Sequence, residues 1–198
     1  MPIIDKKNTI PGLKKLNTVI LDLGCGPYKK NINWIGIDAL DYEGVDIVGD
    51  VFEILENFPD NSVDEIHSYH FFEHISDLPK LLNTISRIIK PVGKIIIVVP
   101  HFSNPYYYSD YTHKNFFGLY SLSYLSKDKI FRRKVPNYNI EATLTLKDVK
   151  LLFRSPFWIN RPIRKLYQFI FNLSNTTKEF YEESCCYAFP CYEIKYHL

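Results

Sequence analysis

Three carboxylates stand where short apolar runs give way to turns. Asp22 precedes Gly24-Cys25-Gly26, Asp38 follows Trp34-Ile35-Gly36-Ile37, and Asp50 follows Val45-Asp46-Ile47-Val48-Gly49. Glycines carry no Cβ, so backbone can approach a ligand closely there. A carboxylate past the second strand can accept two hydrogen bonds from a ribose diol. One past the third can meet an adenine amino group. Asp22 can orient the loop or, through water, a bound ammonium. Taken alone, Gly24-Cys25-Gly26 is also an ordinary tight turn, and Asp38 and Asp50 are also caps or solvated loop ends. Together they fall in register on consecutive strand ends, where open α/β sheets bind their ligands.

A second set of groups suits proton transfer. His70, His101, Asp110 and His113 are the candidate bases for activating a hydroxyl nucleophile. Asp110 and His113 have the types of a carboxylate-imidazole pair, in which the carboxylate orients the base. The bland alternative is a cap or turn network. His70 and His74 are four residues apart, but in His70-Phe71-Phe72-Glu73-His74 the Glu does not directly follow the first His, as it does in zincins. No metal is expected.

The elements that must position these groups follow from hydrophobic pattern. Strands are expected at 18–23, 34–37, 45–48, 63–68 and 94–99, each a nearly uninterrupted apolar run ended by Gly, Asp or Pro. Such runs suit a parallel sheet covered on both faces. Leu81, Leu82, Ile85, Ile88 and Ile89 repeat at helical spacing behind an Asp77 N-cap and Pro79, and Pro91 and Gly93 stop the helix. A strand-helix-strand unit of this length is a right-handed crossover. The first crossovers are short. Only residues 27–33 separate Gly26 from Trp34, where a parallel connection normally takes about a dozen residues. The first helix is therefore expected to be a single turn or a loop. After residue 100 the texture is aromatic and less regular. A short helix at 121–126, strand character at 140–153, a helix at 161–173 and a last strand at 192–196, antiparallel beside the fifth, are expected.

The bulk numbers set limits. A chain of 198 residues with 46% hydrophobic content suits one domain with a full core, taken here as a cofactor half (1–100) and a substrate or lid half (101–198). Lys plus Arg number 24 against 22 acids, a near balance that offers no general argument for nucleic acid or an anionic surface. No secretory signal or membrane span is expected, and Cys25, Cys185, Cys186 and Cys191 lack zinc spacing. Free thiols in a cytoplasmic protein follow. The segment 154–171 combines Arg161, Arg164 and Lys165 with aromatics. Its bland reading is a lid helix with a solvated basic edge. The functional ones are an anionic substrate such as a sugar nucleotide, or peripheral contact with a membrane carrying a lipid-linked glycan.

The pieces VILDLGCGP, WIGIDAL, DIVGDV, VDEIHSYHFFEHI and ISRIIKPVGKIIIVVP resemble the class I S-adenosylmethionine-dependent methyltransferases, especially the small type 11 group. They span residues 18–100, half the chain, and Val92 stands where the family turn has its first glycine. The resemblance implies a Rossmann-like α/β fold: a seven-stranded sheet, mostly parallel with an antiparallel C-terminal strand, and trimmed first helices. It assigns Asp22, Gly24 and Gly26 to the methionine moiety of the cofactor, Asp38 to the ribose, and Asp50 and Val51 to the adenine, with Cys25 and Ala39 also among the cofactor-binding residues. Ser68, Tyr69 and His70 would lie beside the sulfonium. The segment 101–117 is similar to a stretch of small methyltransferases from surface-polysaccharide gene neighbourhoods, which implies methyl transfer to a small or glycan-like acceptor, onto oxygen. The alternative is a non-catalytic S-adenosylmethionine-binding or scaffolding module. A nicotinamide dehydrogenase fits worse. The third glycine of its fingerprint would fall at Lys29, and Asp38 comes only 12 residues after Gly26.

Overall fold

The computed structural model describes residues 2–128, 130–136 and 143–198. It divides into two compact units: Met1–Phe71 with Asp77–Ile97, and Phe72–Ser76 with Val98–Leu198.

The first unit is an α/β sheet. Its strands are β1 (Ile4–Asp5), β2 (Ile20–Leu23), β3 (Ile35–Asp38), β4 (Ile47–Val48), β5 (Val63–Tyr69) and β6 (Ile89–Pro100), in the spatial order β1-β4-β3-β2-β5-β6. β2 pairs parallel to β3 and to β5, and β3 parallel to β4. Leu21 and Leu23 of β2, Ile37 of β3, Ile47 of β4 and Ile66 of β5 are almost wholly buried. The β2-β3 connection, residues 24–34, holds only turns and bends, as the short crossover requires. A four-residue helix, α1 (Thr9–Gly12), precedes β2.

Two helices cover this sheet. α2 (Val51–Glu56) begins at Asp50, whose Oδ1 accepts the Phe52 and Glu53 N–H groups and satisfies the orphan donors of its first turn. The sequence pattern did not signal this six-residue helix, because Ile54 and Leu55 alone are too short a stripe to show periodicity. α3 (Leu78–Ile88) is capped by Asp77 through the Lys80 N–H and buries Leu81, Leu82, Ile85 and Ile88. Arg87 ties its end to the Phe58 and Leu55 carbonyls. β6 starts directly at Ile89, five residues earlier than the pattern suggested. Val92 is 89% exposed, so its departure from the family glycine has no packing consequence.

β6 runs on into the second unit, where the order is β6-β10-β9. β9 (Asp148–Leu152) and β10 (Glu193–His197) are antiparallel. A separate pair joins β7 (Lys127–Asp128) to β8 (Thr145–Leu146). Two helices, α4 (Arg161–Phe171) and α5 (Asn175–Phe180), follow, and α5 runs into a π-helical turn at Tyr181–Cys185. Phe117, Phe131, Tyr181 and Tyr196 are buried in its core, while others of its aromatics, Tyr111, Trp158 and Phe169 among them, stay exposed.

Eight strands join in the order above where seven were expected; the added one is β1, antiparallel to β4. Residues 121–126 form turns instead of a helix, with the Ser126 hydroxyl bonded back to the Leu122 carbonyl. The strand expected over 140–153 is two short strands, its first residues, 140–142, lying outside the described set.

Candidate functional site

The ends of β2, β3 and β4 build one site in the first unit. Gly24 and Gly26 have φ of 67° and 58°, the left-handed region that side chains avoid. The Gly24 and Cys25 N–H groups both donate to the Ile37 carbonyl, fastening the loop across β3. The Gly26 N–H donates to Asp38 Oδ2 at 2.8 Å, and the Leu40 N–H to Asp38 Oδ1 at 2.9 Å. Each carboxylate oxygen of Asp38 thus holds one backbone donor and keeps a further lone pair. A Cβ on Gly24 would meet the Phe71 ring at 2.5 Å, whereas a Cβ on Gly26 would meet nothing within 4 Å. Gly26 therefore borders open space at the mouth of the loop.

Asp22 is 1% exposed and accepts the Lys30 N–H at 3.0 Å. Burial pushes its carboxyl up, against the pull of that N–H and of His67. Burial and the Asp22 and Asp38 carboxylates push the Cys25 thiol up to about 12, so it is a neutral thiol at pH 7. Asp50 keeps Oδ2 beside its capping oxygen, and Val51 opens α2. Ala39 is exposed directly after Asp38. On β5, the buried Ser68 hydroxyl donates to the Leu23 carbonyl, and Lys30 Nζ stands 5.0 Å from the Tyr69 ring centroid. His70, just past β5, is exposed with φ 55°, a conformation costing about 1 kcal/mol for a residue with a Cβ.

Two features of this site escaped sequence reading. The loop after Gly26 is held by a buried ion pair: Lys29 Nζ lies 2.7 Å from Asp46 Oδ2, with its side chain 4% exposed. The Gly36 N–H and Lys7 also reach Asp46. Gly36 makes this possible, since a Cβ there would lie 2.6 Å from the Lys29 side chain and 2.8 Å from Cys25 Sγ. His67, paired in register with Asp22, stacks on Trp34 at 4.0 Å and bonds Glu65 at 3.0 Å. The only sequence signal was a histidine inside an apolar strand run.

In the second unit, His101 is wholly buried. The Ser103 N–H donates to its Nδ1 at 3.1 Å, so the proton sits on Nε2, which faces Glu182 Oε2 at 3.3 Å. Glu182 also accepts the Leu119 N–H. Both nitrogens of His101 are thus engaged inside the unit, and the Glu182 carboxylate that its Nε2 faces also lines a cleft of the same unit. Asp110 and His113 are brought together: Asp110 Oδ2 lies 3.6 Å from His113 Nε2, and His113 Nδ1–H donates to the Tyr107 carbonyl at 2.9 Å. The Thr112 hydroxyl donates to Asp110 and holds its carboxyl below the usual range. His74 joins with its ring tilted against that of His113, centroids 4.9 Å apart, and bonds the Thr112 hydroxyl. Ligand atoms of Glu73, His74 and His113 lie within 4.8 Å of one another, a grouping the expectation of no metal did not foresee.

The second unit also has a cleft of about 830 Å³ lined by Phe102, Tyr120, Arg132, Arg133, Glu179 and Glu182 among others. Glu179 accepts the Tyr120 hydroxyl and the Arg133 N–H, and the Arg133 guanidinium lies 5.0 Å from the Tyr120 ring centroid. Aromatic faces and charges of both signs thus meet in one concavity.

A glycine turn under strand-end acids, with no room for a phosphate-binding helix, suits a phosphate-free adenosyl ligand. The methyltransferase-domain family model matches residues 2–128. The chain belongs to that family. Within it the chain is a class I, type 11-like member with S-adenosylmethionine as cofactor. The chain is 32% identical over 115 residues to phosphoethanolamine N-methyltransferase 1 of Arabidopsis thaliana, a match covering 48% of this chain and 22% of that relative. It thus spans about a fifth of the curated relative's length. An S-adenosylmethionine-dependent methyltransferase from Archaeoglobus fulgidus superposes with a TM-score of 0.61 at 20% identity, covering 96% of this chain and 89% of that one. One from Thermotoga maritima gives 0.50 at 18% identity over 75% of each chain. At these identities the structures show a shared fold.

Proposed function

We propose that the chain transfers the methyl group of S-adenosylmethionine to a small polar acceptor. The observation that carries this reading is the Gly26–Asp38 pair, which places a carboxylate with free lone pairs beside open space at a left-handed glycine. The donor and acceptor set fits the cofactor. Asp38 accepts the ribose hydroxyls, Asp50 and Val51 take the adenine, and the glycine loop over Asp22 takes the methionine end. Ser68, Tyr69 and His70 flank the sulfonium. When bound, the cofactor supplies an electrophilic methyl group, and the protein's task is to align the nucleophile and exclude water. Calorimetric titration with S-adenosylhomocysteine tests this. No heat at millimolar ligand would sink it and leave a scaffolding module as the better account.

The acceptor atom has two readings. One is the oxygen of a small or glycan-like molecule, with His70, His101, Asp110 and His113 as candidate bases. The second-unit cleft supports nitrogen instead. Carboxylates beside aromatic faces attract a cationic amine, and Arg132 and Arg133 suit an anionic group on the same molecule. The relative's name, an N-methyltransferase, points the same way. A panel of small phosphorylated amines and hydroxyl-only analogues, scored by S-adenosylhomocysteine release, separates the two. Turnover confined to hydroxyl acceptors rejects nitrogen.

A further inference from the structure

The segment 154–171 mixes cations with aromatics in the sequence, and the methyl-transfer reading leaves it unused. α4 faces the body of its unit through Phe171, which is buried, through Gln168, whose Oε1 accepts the Phe153 N–H, and through Arg164, which donates to the Pro190 carbonyl. The other side of the helix is apolar and open. Ile163, Leu166, Ile170 and Leu173 recur at i, i+3, i+7 and i+10 on one stripe, with Phe169 beside it, and they are 40% to 67% exposed. The turn before the helix adds Phe157, Trp158 and Ile159, at 59% to 76% exposed. Scattered exposed hydrophobics are ordinary on any protein, but a contiguous group of eight large ones is not.

Charge decides what covers this face. Residues 154–173 contain Arg154, Arg161, Arg164 and Lys165 and not one Asp or Glu, in a chain whose whole net charge is only +2. Arg161 and Lys165 are exposed on the same helix, Lys165 next to Phe169 by helical spacing. Arg154 pairs with Glu193 Oε2 at 3.3 Å and Arg164 faces the body, so a second copy of this chain would bring the exposed Arg161 and Lys165 against their like. An anionic bilayer instead offers hydrocarbon to the stripe, headgroup charge to the cations, and an interfacial zone that tryptophan favours. We infer that α4 and the Phe157–Ile159 turn form a membrane-docking face that lies in the interface plane of an anionic bilayer. No helix among the described residues is long and apolar enough to cross a membrane, so the contact is peripheral. It is independent of the methyl-transfer reading.

Flotation of the full chain with vesicles tests it, comparing phosphatidylcholine alone with phosphatidylcholine mixed with phosphatidylglycerol. The expected result is binding to the anionic vesicles, weakened by added salt. The pair Leu166→Glu and Phe169→Glu, both at exposed positions, should abolish binding while circular dichroism stays unchanged. The pair Arg161→Glu and Lys165→Glu should lower partitioning by at least about tenfold. Absence of vesicle binding overturns the inference. So does binding that ignores both pairs of substitutions, or a dimer that Leu166→Glu splits with no vesicle association.

Discussion

The backbone N–H of Gly26 and the carboxylate of Asp38 meet at 2.8 Å, joining the end of β2 to the end of β3. One carboxylate therefore shapes the loop and keeps lone pairs for a ligand. Asp38→Ala should lower S-adenosylhomocysteine affinity at least about tenfold, through lost ribose acceptors. Asp38→Asn, which keeps one oxygen, should fall between. Calorimetry measures both, and unchanged affinity in Asp38→Ala removes the residue from the ribose role.

Gly24 and Gly26 share a left-handed backbone but differ in surroundings. Gly24→Ala adds a Cβ at 2.5 Å from the Phe71 ring and should destabilise by about 2 kcal/mol or more. Gly26→Ala meets no atom within 4 Å, so its stability loss is only the left-handed penalty of about 1 kcal/mol. Its larger effect should be on cofactor affinity. Urea unfolding and calorimetry, run on both variants, separate the two effects.

Lys29 and Asp46 stand in for the missing helix. Lys29→Met should destabilise by about 3 kcal/mol by leaving Asp46 with only the exposed Lys7 as cationic partner. Burial raises the Asp46 carboxyl, but Lys29, Lys7 and the Gly36 N–H outweigh it and hold the group below the usual range. A depressed folded value means stability that is present above the unfolded value and lost as pH falls through the folded one. The melting temperature should drop as the solution is acidified below about pH 4, and Asp46→Asn should flatten that part of the profile.

Asp22 has the opposite sign. Burial raises its folded value, so its ionised form is penalised at neutral pH, and the penalty vanishes as pH falls below the unfolded value. Asp22→Asn keeps an acceptor for the Lys30 N–H and should raise the melting temperature at pH 7. It should also weaken S-adenosylhomocysteine binding, a trade of stability against function. A variant that melts lower at pH 7 contradicts this.

Much of the first unit was legible because its signals are local. Apolar runs ended by glycine and acid, and one capped amphipathic helix, specify β2, β3, β5 and α3 through backbone propensity and periodicity alone. The short spacing from Gly26 to Trp34 excluded a full helix by length. The grouping of Asp22, Asp38 and Asp50 was legible too, because parallel strands deliver their carboxyl ends to one edge.

What the sequence could not determine depends on which distant groups share a small volume. That Lys29 is drawn inward to Asp46 depends on the missing Cβ of Gly36, a relation between three strand-end segments with no motif of its own. His101 is a candidate base by type, and only packing shows that its nitrogens meet Ser103 and Glu182, 81 residues away in the case of the carboxylate. Likewise, the sequence predicts a helix at 161–173, but not which of its faces is turned in or out. Only the tertiary structure decided that Phe171 and Gln168 face the body and the apolar stripe faces out.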